Sequence, residues 1–150
     1  MSQQGFYKTI LVPVDGSDTA DRAADAARDL AATGGARVIV MSVAVDRDVM
    51  PSELMATGHV SMKDIQDDRR KQAGDTAEKA ARKLKDAGVE ADAEVATGDP
   101  AHCIIERARQ LDAPLVVIGR RGLTGFRELI MGSVSNKVVH YADCPVLVIN

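Results

Sequence analysis

The chain has 150 residues, 45% hydrophobic and 27% charged, with a formal net charge of -3. That is the size of one domain, here residues 1–150, able to bury about two-thirds of its unfolded surface, and the composition excludes disorder, collagen and a disulfide scaffold. No apolar run approaches the ~20 residues of a bilayer span, and Met1–Phe6 lacks the basic start and apolar core of a leader. The acidic balance gives no general attraction for nucleic acid or anionic lipid, and two Phe, two Tyr and no Trp leave little for base stacking. Cys103 and Cys144 make no disulfide framework. The expectation is a cytoplasmic protein acting on something small, with no membrane or nucleic-acid partner.

In chain order, Thr9–Val14 is a short aliphatic run rich in β-branched residues that reads as a strand. Asp15-Gly16-Ser17-Asp18 follows and leads into a helical stripe, Ala20, Ala23, Ala24, Ala27, Leu30 and Ala31, with Gly34 at its C-cap. Val38–Val45 is a second strand. The stretch from Asp46 to about Met62, with Pro51, Gly58, His59 and three methionines, lies outside the pattern. A connection this long is usually either functional or mobile, and the sequence does not choose between the two. Ala73, Ala77, Ala80, Ala81 and Leu84 mark a second helix whose charges between Asp64 and Lys85 form a solvated face, ending near Gly88.

Ala91–Ala96 is a third strand, and Asp99-Pro100 has the form of an N-cap with proline in the first turn. Ile104, Ile105, Ala108 and Leu111 continue that helix. Leu115–Ile118 and Val146–Ile149 are the last strands, separated by a shorter helix through Val134, Val138 and Val139. Strands that are nearly continuously apolar and alternate with helices predict an open, parallel α/β sheet.

Ligands of such sheets sit beyond the carboxyl ends of the strands. After the first strand there is neither a GxGxxG turn nor a GxxxxGK[ST] loop, and Asp15, Asp18 and Asp21 would repel a phosphate there. The fourth strand ends differently, in Gly119-x2-Gly122-x9-Gly132-Ser133, with Arg120, Arg121 and Arg127 nearby and an acid-free helix start at Ser133-Val134-Ser135. Glycines admit close backbone approach, and orphan N–H groups at a helix start bind anions. At about 7% glycine usage the whole pattern should arise by chance roughly 0.01 times per chain.

The chain resembles the universal stress protein family, single-domain ATP-binding branch, from Ile10-Leu11-Val12-Pro13-Val14-Asp15-Gly16-Ser17 to Cys144-Pro145-Val146-Leu147-Val148-Ile149, and most specifically in the glycine motif. The resemblance implies a five-stranded parallel sheet in order 3-2-1-4-5, helices on both faces, in the adenine-nucleotide α-hydrolase-like class. It implies ATP, accompanied by Mg²⁺, where strands 1 and 4 diverge. Gly119, Gly122 and Gly132 would line the phosphate path beside Ile118 and Arg120. Ser133, Val134 and Ser135 would supply hydroxyl and backbone donors, Asp15 would accept from ribose, Pro13 and Val14 would flank the nucleoside, and Val43 would touch adenine. A homodimer through the edge strand Val146–Ile149 is implied as well.

Each position also has a plainer reading. Asp15-Gly16 is ordinary turn chemistry, Ser133 can be an N-cap, Val43 a core residue, and Arg120 and Arg121 solvated charges. His59, His102 and His140 lack metal-site spacing, and both cysteines read as packing thiols. No Ser-His-Asp grouping, metal cluster or phosphate-loop lysine is visible, so no catalytic residue is assigned. The expected function is an ATP-binding stress-response or regulatory module. Two alternatives stay open: a slow ATPase or nucleotidyl-transfer enzyme, and a nucleotide-independent interaction protein working through the Met-rich stretch.

Overall fold

The computed structural model describes residues 6–46, 58, 61–112, 114–121 and 131–150. Among these residues nine elements alternate: β1 (Thr9–Pro13), α1 (Asp18–Gly34), β2 (Arg37–Val45), α2 (Met62–Asp86), β3 (Ala91–Gly98), α3 (Pro100–Gln110), β4 (Pro114–Gly119), α4 (Ser133–Tyr141) and β5 (Val146–Ile149). The five strands form one sheet in the order β3-β2-β1-β4-β5, and every pairing is parallel. Fold class and strand order are as the sequence and its resemblance led us to expect.

The near-continuous apolar strands are explained by burial on both faces. Alternate residues of one strand point to opposite sides, so Ile10 and Val12 of β1 pack with Val38 and Val40 under α1 and α2. Leu11 packs with Ile39 and Val116 under α3 and α4. The stripe of α1 meets the sheet through alanines alone, Ala20, Ala23, Ala24, Ala27 and Ala31 being buried. Side chains this small let the helix lie close to the strands.

The helix ends follow the sequence to within a residue. Ser17 caps α1 by accepting from the Ala20 N–H at 3.3 Å, and Asp99 caps α3 by accepting from His102 N–H at 2.9 Å. The left-handed residue after α1 is Gly35 (φ 74°), one beyond the expected Gly34. Gly88 (φ 84°) ends α2 as expected, its N–H reaching Lys85 O at 2.9 Å while Val89 N–H reaches Leu84 O at 3.1 Å. Most of the Asp46–Met62 stretch lies outside the described residues; its last residue, Met62, opens α2. Among the described residues no helix is long and apolar enough to cross a membrane.

Candidate functional site

The chain runs outward from β1 to β2 and β3, then returns to the other side of β1 for β4 and β5. That reversal opens a crevice at the carboxyl ends of β1 and β4. A cleft of about 1030 Å³ occupies it, at the upper end of the range for small-molecule sites.

The β1 side of the cleft is built on a turn. Val14 N–H extends the ladder to Met41 O at 2.8 Å, and Asp15 then accepts from the Ser17 N–H at 2.9 Å. Gly16 takes φ 85°, which an L side chain adopts only with strain. Pro13, Val14 and Asp15 all line the cleft. The turn reading of Asp15 therefore holds, and it leaves the exposed carboxylate on the cleft wall. Val43, on β2, also lines the cleft while packing against the core beneath α3 and α4.

The β4 side is tighter. Ile118 and Gly119 line the cleft. A Cβ on Gly119 would stand 2.8 Å from the backbone carbon and oxygen of Thr19 and 3.0 Å from Ala20 N. Gly119 is thus required where β4 meets the first turn of α1, whatever else passes it. Thr19 Oγ1 donates to the Arg121 carbonyl and ties the same two elements together.

Arg120 is a junction. Its N–H donates to Ile149 O at 2.7 Å, and its carbonyl accepts from Gly132 N–H at 2.9 Å and Ser135 Oγ at 2.7 Å. Its guanidinium reaches Asn150 Oδ1 at 3.3 Å, at the sheet edge, and it is Arg121 that lines the cleft. Gly122, with Leu123, Thr124, Gly125 and Arg127, lies outside the described residues.

Gly132 is the N-cap of α4, so Ser133 is its first helical residue and not the cap that the sequence suggested. Glycine offers no capping side chain and the first turn holds no acid. The N–H groups of Ser133, Val134 and Ser135 have no intrahelical acceptor by helix geometry, and Gly132 through Ser135 line the cleft. Ser135 is buried, and its one hydroxyl proton is committed to backbone carbonyls. The exposed Ser133 is the available hydroxyl at this helix start.

Sequence reading missed the contribution of α2. Arg69, Gln72, Ala73 and Thr76 line the cleft, with Arg69 Nη1 donating to Val45 O at 3.2 Å. Their spacing puts them on one helix face beside the buried Ala73 and Ala77, a periodicity visible in the sequence that does not say what the face overhangs. Asp46 and Asp99 add carboxylates at the ends of β2 and β3. Among the described residues no cluster of three or more His, Cys, Asp or Glu could hold a metal ion. Cys103 and Cys144 lie off the cleft, their thiols held above the ordinary value by burial first, then by Asp99 and Asp143 respectively. His59 lies outside the described residues, and His140 stacks edgewise on Tyr141.

Such a molecule belongs to the doubly wound α/β domains that carry a ligand cleft at the switch point of a parallel sheet. Within that class its family is defined: residues 6–150 match the Universal stress protein family, and the chain belongs to it. It is 34% identical over 147 residues to the universal stress protein YxiE of Bacillus subtilis, covering 96% of this chain and 99% of that one. Among solved structures, a universal stress protein in complex with cAMP is 26% identical with a TM-score of 0.71, covering 97% of this chain and 99% of its own. The universal stress protein of Archaeoglobus fulgidus in complex with dAMP is also 26% identical, with a TM-score of 0.68 and the same coverage.

Proposed function

We propose that this universal stress protein binds ATP with Mg²⁺ in the cleft and acts as a nucleotide-dependent regulatory module of a stress response in the cytoplasm. The observation that carries the reading is convergence: Asp15, Val43 and the uncapped start of α4 share one cleft. Each offers what one part of a nucleotide needs. The Asp15 carboxylate accepts from sugar hydroxyls, the apolar Val43 and Ile118 cover a base, and the N–H groups of Ser133 to Ser135 meet phosphate oxygens. The two solved relatives that hold cAMP and dAMP support an adenine nucleotide.

Magnesium would be held mainly by phosphate oxygens and water. Binding needs no general base, and regulation needs only that the nucleotide stabilise one state of the protein over another. The exposed Leu147 on the edge strand β5 supports the second part of the proposal, a homodimer through Val146–Ile149. Sedimentation at micromolar concentrations should give a dimer, which Leu147→Lys should dissociate; a monomer throughout removes this part.

The test of the cleft is thermal unfolding with ATP, ADP, AMP, cAMP and GTP, each with and without Mg²⁺. A ligand at 100 times its Kd should add about 2.7 kcal/mol, several degrees in Tm for a chain of this size. Stabilisation by adenine nucleotides, greatest for Mg·ATP, is expected. No shift with nucleotide-free protein would overturn the proposal.

A further inference from the structure

The two proposed contact regions of the nucleotide, Asp15 after β1 and the start of α4 after β4, are joined by a line of polar contacts. Asp15 accepts from Ser17 N–H at 2.9 Å. Ser17 Oγ lies 3.5 Å from Thr19 Oγ1. That separation is longer than an ordinary hydroxyl hydrogen bond, and the firm link is the next one, where Thr19 spends its one hydroxyl proton on the Arg121 carbonyl. The neighbouring Arg120 carbonyl then takes Gly132 N–H at 2.9 Å and Ser135 Oγ at 2.7 Å.

Thr19 stands at the middle of this line. It is also the residue whose backbone fills the space that a Gly119 side chain would need. Yet Thr19 itself does not line the cleft. We infer that Thr19 is a positioning residue: by clamping the Arg121 carbonyl it sets the distance between the sugar contact at Asp15 and the phosphate contact at the α4 start. The inference rests on the reading of the cleft as a nucleotide site and adds to it how the two halves are kept in register.

The consequence is selective. A ligand that bridges both halves gains because their spacing is preset; a ligand that touches one half gains nothing from it. Removing the Thr19 hydroxyl should therefore weaken ATP and spare its fragments. A general loosening of the fold would weaken all of them alike.

The experiment is calorimetric titration of the full chain with Mg·ATP, adenosine and tripolyphosphate, comparing wild type, Thr19→Val, Thr19→Ala and Thr19→Ser. Val and Ala are expected to weaken ATP tenfold or more while adenosine and tripolyphosphate stay within twofold, and Ser, which keeps the hydroxyl, should stay within twofold for all three. ATP affinity unchanged in Val and Ala overturns the inference, as does an equal loss for all three ligands. Failure of both variants to fold overturns it too, because the hydroxyl would then serve the fold. Wild type that binds no ATP overturns the reading of the cleft, a result distinct from wild type that binds while the variants match it.

Discussion

Ser135 and Arg120, fifteen residues apart, are joined by a 2.7 Å hydrogen bond from a buried hydroxyl to a backbone carbonyl. The bond fastens the first turn of α4 to the end of β4. It also separates two serines that look equivalent in sequence: Ser135 holds the scaffold, and Ser133 faces the cleft. Ser135→Ala should cost about 0.5–1.5 kcal/mol in urea unfolding, the usual net worth of such a bond, since the Arg120 carbonyl keeps its Gly132 donor.

Ser133→Asp should separate folding from binding. An acid in the first turn complements the helix dipole and is worth about 0.3–1 kcal/mol to the helix, and α4 has none there. The same charge would repel a phosphate at those N–H groups. Melting of the ligand-free protein should hold or rise slightly, while ATP affinity falls at least tenfold by calorimetry. Retained ATP affinity would place the phosphates elsewhere.

Gly119→Ala tests the contact between β4 and α1. The added Cβ meets Thr19 carbon and oxygen at 2.8 Å and Ala20 N at 3.0 Å, all backbone atoms that cannot swing aside. A loss of about 1–3 kcal/mol is expected, the range for overpacking, read from the midpoint of urea unfolding. A neutral result would show that the α1 start can withdraw from the strand.

The thiols give a pH dependence with a definite sign. Burial, aided by Asp99 and Asp143, holds Cys103 and Cys144 above the ordinary value of 9.0. In the window from 9.0 up to the native values the folded chain keeps protons that the unfolded chain has released, so stability falls as pH rises there. Urea midpoints should drop more between pH 8 and pH 10 for wild type than for the double variant Cys103→Ser, Cys144→Ser. Identical slopes would show that neither thiol contributes.

Strands and helices were legible because their signals are local. Runs such as Thr9–Val14 and Val38–Val45 are too apolar for a one-faced sheet, and Asp99-Pro100 carries its own capping chemistry. Errors at helix ends were a single residue, Gly35 for Gly34 and Gly132 for Ser133, because neighbouring residues there could each fill the role. The cleft was legible in outline, since Asp15, Gly119 and Gly132, singled out in the sequence, all line it. Three features depended on tertiary placement. The division of labour between Ser133 and Ser135 turns on which hydroxyl meets the Arg120 carbonyl. The contrast between Arg120, drawn to Asn150, and Arg121, on the cleft wall, turns on where β5 ends. The α2 contribution, Arg69, Gln72 and Thr76, required knowing which helix face overhangs the crevice.

The central position of β1 has a consequence for the newly made chain. Ile10 pairs with Val38 on one side and with Leu115 on the other, so the first strand to be synthesised must wait for most of the chain before its second edge is covered. Until β4 arrives, Thr9, Ile10 and Leu11 present unpaired backbone between apolar side chains, an edge of the kind that pairs with other chains. The window of aggregation risk during biosynthesis therefore lies between completion of β2 and arrival of β4, and sequences that slow translation in that interval would lengthen it.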